Sequence, residues 1–180
     1  MVQSFTSKSG RHINLRPPKA SDVMILQNYI NALVAEDAPI LINRQQTISQ
    51  EKEHVANIMK AIKAGERVQL LAFHGPKLIA NAQVVKGKYR MSHVGTFGIS
   101  VAKDYRDDGI GKKLAAAIIK LAINNLKTKL FELTVHDDNP RALHLYEKLG
   151  FKKIGVLPKA TQYKQDLVDL VYMYRWIGKS

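Results

Sequence analysis

Cysteine is absent from all 180 residues of the chain. Disulfides and thiolate metal sites are therefore excluded, and so is any acyl transfer that parks its acyl group on a cysteine. Also missing is an apolar run approaching the ~20 residues of a membrane span. The stretch from Met1 to Lys8 lacks the long apolar core of a secretory leader, so no membrane partner is expected and the cytoplasm is the expected setting. No repeat, low-complexity tract or linker divides the chain. With 46% hydrophobic residues, it is expected to form a single domain over 1–180 with a substantial core. Acidic residues are scarce: 15 Asp and Glu stand against 28 Lys and Arg, a net charge of +13. Such an excess serves nucleic-acid binding, attraction of an anionic cofactor or acidic partner, or plain solubility. The lysines are dispersed, with short clusters at 86–90 and 152–153. No zinc-finger spacing or RNA-binding sheet motif accompanies them, so nucleic acid is not the expected partner.

Hydrophobic periodicity divides the chain into alternating elements. His12 to Arg16 alternates as a strand and stops at Pro17-Pro18. Ser21-Asp22 reads as a helix N-cap, followed by the 3.6-period stripe Val23, Leu26, Ile30, Leu33, Val34. A loop over 39–46 leads to Thr47-Ile-Ser-Gln50, a capping box for a helix that runs to about Ala64 and ends at Gly65. Strands over 68–74 and 78–86 flank the Gly75-Pro76 turn, and a fourth strand covers 94–102. A helix over 109–127, a fifth strand over 130–135, a short helix over 140–149 begun by proline, and strands from 152 to 155 and from 167 to 176 complete the order. The expected architecture is mixed α/β (α+β): a mostly antiparallel sheet with helices on both faces.

The segment between the fourth strand and the following helix carries the strongest chemical signal. It reads Tyr105-Arg-Asp-Asp-Gly-Ile-Gly-Lys-Lys-Leu114. A strand, a turn with two glycines and a helix start form a device for holding phosphate. Glycine lets backbone N–H groups approach an anion, and the helix N-terminus adds partial positive charge. The Walker spacing is not met, and neither is the dinucleotide fingerprint, since the position three after Gly111 is Leu114. On spacing alone, a plain helix start with two small residues explains it equally well.

Arg106, Gly109 and Gly111 in the order R-x-x-G-x-G resemble the acetyl-CoA pyrophosphate motif of the GNAT superfamily of N-acetyltransferases. A second block, His136 to Phe151, resembles that superfamily's later signature, with Asn139, Ala142, Tyr146, Gly150 and Phe151 in matching order. The resemblance implies a GNAT-like sheet in which the fourth and fifth strands splay apart and acetyl-CoA lies in the gap. It places Ile99, Ser100 and Val101 along the cofactor's arm. It assigns the pyrophosphate to the turn of Arg106, Asp107, Asp108, Gly109, Ile110, Gly111 and Lys112, with both aspartates pointing outward. Asn139 would bond the arm while also serving as an N-cap. Tyr146 would contact the cofactor and donate a proton to the departing thiolate; its other reading is a packed helix tyrosine.

The resemblance names the chemistry, direct transfer of an acetyl group to a primary amine, but not the acceptor. An α-amino group with pKa ~7.7–8.0 is neutral roughly a tenth of the time at pH 7, whereas a lysine-type amine is neutral about once in a few thousand molecules. A protein or peptide α-amine therefore ranks first as acceptor, ahead of a small amine, polyamine or amino acid. A non-catalytic basic module is the competing class. Some superfamily members carry a glutamate base five positions before the asparagine; Thr134 stands there, and Glu132 lies two residues earlier on the same strand face. His93 is the other candidate base. Glu36 and Asp37, after the first helix, are candidates for the acceptor wall, with a solvated helix end as the alternative. Tyr163, Asp169 and Tyr172 of the tail join that wall unless Leu170, Tyr172 and Tyr174 form a core face. His136 and His144 have no third ligand in spacing, so no metal is expected. A homodimer remains open.

Overall fold

A computed structural model describes residues 3–178. Eight strands form one sheet in the order β1-β2-β3-β4-β5-β6-β8-β7. They are β1 (Gln3–Thr6), β2 (His12–Arg16), β3 (Arg67–His74), β4 (Lys77–Lys86), β5 (Val94–Val101), β6 (Leu130–His136), β7 (Lys152–Tyr163) and β8 (Asp166–Trp176). Every neighbouring pair is antiparallel except β5 and β6. The helices are α1 (Val23–Ala35), α2 (Ile48–Lys63), α3 (Ile110–Leu126) and α4 (Pro140–Lys148). This is the mixed α/β, mostly antiparallel arrangement that the sequence predicts.

Alternation along the central strands sends two sets of side chains to opposite faces. On one face Ile13, Ala72, Ala80, Val84, Phe131 and Met173 meet Ile110, Leu114, Ile118 and Leu126 of α3, forming the larger core. Leu114 and Ile118 are fully buried, each worth about 1.5–3 kcal/mol relative to exposure. On the other face Leu71, Phe73 and Leu78 pack against Leu26, Tyr29 and Leu33 of α1 and Val55 of α2.

Local signals act where expected at several element ends. Thr47 Oγ1 accepts from the Gln50 N–H at 3.3 Å, while Gln50 Oε1 accepts from the Thr47 N–H at 2.9 Å, closing the capping box of α2. Gly65 then leaves the helix at φ 68°. Asp22 occupies the N-cap position of α1 but does not cap it. Its carboxylate instead takes both prongs of the Arg16 guanidinium, at 2.6 and 2.8 Å. That bidentate, charge-assisted pair outcompetes a single bond to a helix N–H.

Two strands depart from expectation. β1 was not anticipated, because its Gln-Ser-Phe-Thr sequence is too short and polar to alternate. β7 continues past Gly155 to Tyr163. Its register with β8 shifts between Lys153 and Gly155 and again between Leu157 and Thr161, which erases the period-2 pattern. It also contains Pro158, tolerated because β7 is an edge strand.

Candidate active site

The β5–β6 seam organises the site. The two strands pair in parallel only at Val94–Leu130, Gly95–Phe131 and Thr96–Glu132, and beyond Thr96 they diverge. From Phe97 to Val101, β5 remains bonded to β4 alone, so one side of its backbone faces an open gap. Ile99, Ser100 and Val101 lie on this open edge. A cleft of about 530 Å³ runs beside it, lined by Phe97 to Ser100 on one bank and by Thr134, His136, Asn139 and Tyr146 on the other.

The turn that follows β5 has two left-handed residues, Asp107 at φ 62° and Gly109 at φ 76°. The first bond inside α3 runs from the Lys113 N–H to the Gly109 carbonyl at 3.2 Å. The N–H groups of Ile110, Gly111 and Lys112 thus precede the hydrogen-bond ladder and point out of the helix start, where the dipole favours an anion. A Cβ at Gly111 would meet Leu145 Cδ2 at 3.5 Å and Val101 Cγ2 at 3.7 Å, ordinary contact distances.

Two charged residues of this turn, Asp108 and Arg106, are placed otherwise than expected. Asp108 does not point into solvent. It is buried, and its carboxylate accepts from the Ser9 N–H and the Ser9 hydroxyl, both at 2.7 Å, and from Arg11 Nη1 at 3.3 Å. The Ser9 hydroxyl is the main influence holding its pKa down at about 2. Asp107 does face solvent and pairs with Arg141 Nε of α4 at 3.2 Å. Arg106 turns back from the turn: its Nε donates to the Val101 carbonyl at 2.9 Å and its guanidinium pairs with Glu36. Glu36 is therefore an ion-pair partner, not a freely solvated helix end.

Tyr146 lies on α4 with its ring edge-on to Phe97, centroids 6.0 Å apart, and tilted against Phe151 at 5.9 Å. Burial pushes its pKa up to about 12. The phenol is thus fully protonated at any working pH and available as a donor. Asn139 caps α4 through a 3.2 Å bond from the Ala142 N–H to its Oδ1. Tyr29 of α1 exchanges a 2.9 Å hydrogen bond with the Ser100 hydroxyl, and its own burial raises its pKa.

The remaining sequence candidates scatter. Glu132 accepts from the Thr96 hydroxyl at 3.1 Å, at the end of the seam where the strands are still paired. His93 is exposed just before β5, away from the residues lining the cleft, and its carbonyl serves the Lys129 N–H at 2.8 Å. Asp37 sits at φ 51° and accepts through its carbonyl from the Tyr163 hydroxyl at 2.7 Å. That bond brings the α1 end and the β7–β8 hairpin together around a second cavity of about 300 Å³. The Tyr163 ring also stands edge-on to His136, 5.2 Å away. Tyr172 is exposed; Val171 and Met173 face the main core, while Leu170 is buried and lines the cleft.

Sequence reasoning missed a polar group on the floor of the main cleft. Arg67 and Gln69 of β3 and Asn81 and Gln83 of β4 all line it, with Glu51 of α2 across from them. Gln69 Nε2 donates to Asn81 Oδ1 at 2.9 Å, and Arg67 donates to Gln83 Oε1. The signal was the spacing Arg67-x-Gln69 and Asn81-x-Gln83, polar at every second position in strands otherwise apolar.

Comparison with known proteins agrees with this geometry. The model of the acetyltransferase (GNAT) family matches residues 35–151. The chain is similar to the L-amino acid N-acetyltransferase AaaT of Escherichia coli, 35% identical over 91 residues covering 51% of this chain and 56% of that protein. It is similar to an N-alpha-acetyltransferase of Saccharolobus solfataricus, 36% identical over 78 residues covering 43% of this chain and 46% of that protein. The chain thus spans about half the length of these curated relatives. Its fold matches a ribosomal-protein-S5-alanine acetyltransferase of Vibrio fischeri with a TM-score of 0.85, at 18% identity over 98% of both chains.

Proposed function

The chain belongs to the GNAT acetyltransferase family, and from that premise we propose that it acts in the cytoplasm, transferring the acetyl group of acetyl-CoA directly to a primary amine. The α-amine of a protein or peptide ranks first as acceptor, in keeping with the alanine and N-alpha-acetyltransferases it resembles. A second reading, acetylation of an amino acid or other small amine, is favoured by the similarity to AaaT and by the charged cleft floor.

The observation that carries the reading is the three-pair seam between β5 and β6, which leaves the backbone of 97–101 open beside the free start of α3. Acetyl-CoA supplies an activated thioester, two amides along its arm and a pyrophosphate. The residues present fit that set. The amide-seeking edge is Ile99 to Val101, and the anion-seeking N–H groups are those of Ile110, Gly111 and Lys112. The charge of Arg106 is engaged by Glu36, so backbone N–H groups and the exposed Lys112 carry phosphate recognition in this reading. Tyr146, beside the gap, donates to the departing sulfur. With no cysteine in the chain, no acyl-enzyme on sulfur intervenes, and the proposed direct transfer brings both substrates into the site together.

The test is CoA-thiol release from acetyl-CoA with a panel of peptides of different N-termini, free amino acids and polyamines. Selective release with intersecting double-reciprocal plots is expected. Parallel plots would refute direct transfer, and release with no amine above the hydrolysis background would refute the enzyme.

A further inference from the structure

Buried polar atoms almost always find a hydrogen-bond partner, and an orphan asks for an explanation. Among the described residues, buried side-chain atoms without one occur on Arg67 (Nε), Gln69 (Oε1), Thr128 (Oγ1) and His136 (both ring nitrogens). Three of these four residues line the one cleft beside β5. Arg67 is the most telling. A guanidinium has five N–H donors and no acceptor, and its natural complement is a carboxylate. None of the ion pairs among the described residues includes Arg67. Glu51, buried across the cleft, makes none with it either. Its neighbours on the floor are the neutral amides of Gln69, Asn81 and Gln83. Burial lowers the Arg67 pKa to about 10, the mark of a charge paying desolvation without an anion to offset it.

The position of this group relative to the open strand is fixed by register. Gln69 pairs with Gln83 across β3–β4, and Gln83 pairs with Gly98 across β4–β5. Gly98 has no side chain to intervene, and Gln83 lies over it: a Cβ there would sit 3.6 Å from Gln83 Cγ and Nε2. Arg67 lies on β3, two strands from β5, and its guanidinium is bonded to the Gln83 side chain that lies over Gly98 of the strand along which the thioester is proposed to lie. An anion on Arg67 would hold an amine only a few bonds away over β5.

We propose that Arg67, oriented by Gln83 and flanked by Gln69, is a carboxylate-binding subsite that selects acceptors carrying a carboxylate within a few bonds of the reacting amine. The inference rests on the acetyltransferase reading and narrows its substrate class. Two sources present the same chemistry: the α-carboxylate of a free amino acid, and the side-chain carboxylate of a peptide beginning with Asp or Glu. A plain peptide N-terminus or a polyamine lacks it.

The test compares kcat/KM for matched acceptors: free L-amino acids, the same amino acids as C-terminal amides, amidated peptides beginning with Asp or Glu and with Asn or Gln, and spermidine. Each is assayed with the wild-type protein, R67M, R67K and Q83M. A preference of about 10- to 150-fold for the carboxylate member of a pair is expected, the range of a lost hydrogen bond to a charged group. R67M should erase that preference by raising KM, R67K should restore it partly, and acetyl-CoA should protect all four proteins against heat equally. Preference for the free acid over its amide assigns the α-carboxylate; preference for Asp over Asn assigns the side chain. Equal rates on acids and amides in the wild type, or equal losses on both in R67M, overturn the subsite. Should no amine accept acetyl, the acetyltransferase reading fails separately. The subsite is then judged by whether the free amino acids raise the unfolding temperature of the wild type and not of R67M; no difference overturns it.

Discussion

Changing Tyr146 to Phe removes one oxygen and leaves the packing in place. The ring still meets Phe97 and Phe151, so the fold should lose less than about 0.5 kcal/mol, the usual bound for a change that disturbs no contact. The catalytic cost follows from the pKa. With Tyr146 pushed up to about 12, complete proton transfer to a thiolate of ordinary pKa ~8.5 runs uphill by roughly 5 kcal/mol. Its main contribution is therefore a hydrogen bond that strengthens as negative charge gathers on sulfur. Bonds to charged groups are worth about 1.5–3 kcal/mol, which converts to a fall in kcat of about 10- to 150-fold. Steady-state rates of CoA release, taken alongside acetyl-CoA affinity by calorimetry, separate the two contributions. The expected result is a lower kcat at unchanged cofactor affinity, with no alkaline limb in the pH profile between 6 and 9 attributable to this residue. An unchanged kcat would remove Tyr146 from the chemistry, and an equal loss of cofactor binding would make it a packing residue.

Other perturbations probe the turn and its anchor. Gly109→Val places a branched side chain at φ 76°, and calorimetry should find acetyl-CoA bound at least 10-fold more weakly, whereas Gly111→Ala, whose added carbon meets only ordinary contacts, should bind within about threefold of wild type. Asp108 has a folded pKa depressed from 3.8 to about 2, so its stabilising contribution is complete above about pH 4 and is lost as pH falls through 2. Asp108→Asn should accordingly lower the unfolding temperature at pH 7, and the gap from wild type should close in titrations toward pH 2; a gap that persists would mean the carboxylate charge is not what holds the Ser9 loop.

Much of the architecture was legible because the same residues satisfy local and global demands. The Thr47 box, Gly65 and the Asn139-Pro140 start punctuate helices whose apolar stripes face the sheet. Strand alternation failed where the backbone itself breaks period, in the bulged β7, and where a strand is only four residues long. The glycine turn was visible as spacing, because its geometry is local to the β5-turn-α3 unit, whereas Tyr146 on α4 was singled out only through the family resemblance. The partners of Arg106 and Asp108 were not, because Glu36 and Ser9 lie 70 and 99 residues away in sequence. Nor was the cleft floor. Arg67 and Gln69 alternate correctly for a half-exposed strand, and only the roof of α1 and α2 turns that polar face into an interior. An exposed polar strand face and a buried binding floor have the same sequence pattern.

The short seam between β5 and β6 has a consequence for how the chain withstands heat. Among the described residues, the strand ladder between the two halves of the sheet has three residue pairs, and the core under α3 is what else joins them. A ligand lying along the open edge would supply the contacts of an absent strand, bridging halves that the polypeptide itself joins briefly. Stability would then depend on supply: a cofactor present at 100 times its dissociation constant adds about 2.7 kcal/mol, a sizeable share of what holds a domain folded. In a starved cell such a protein would be a weaker structure as well as an idle one, and proteolysis would clear it at a rate set by the metabolite that completes its sheet.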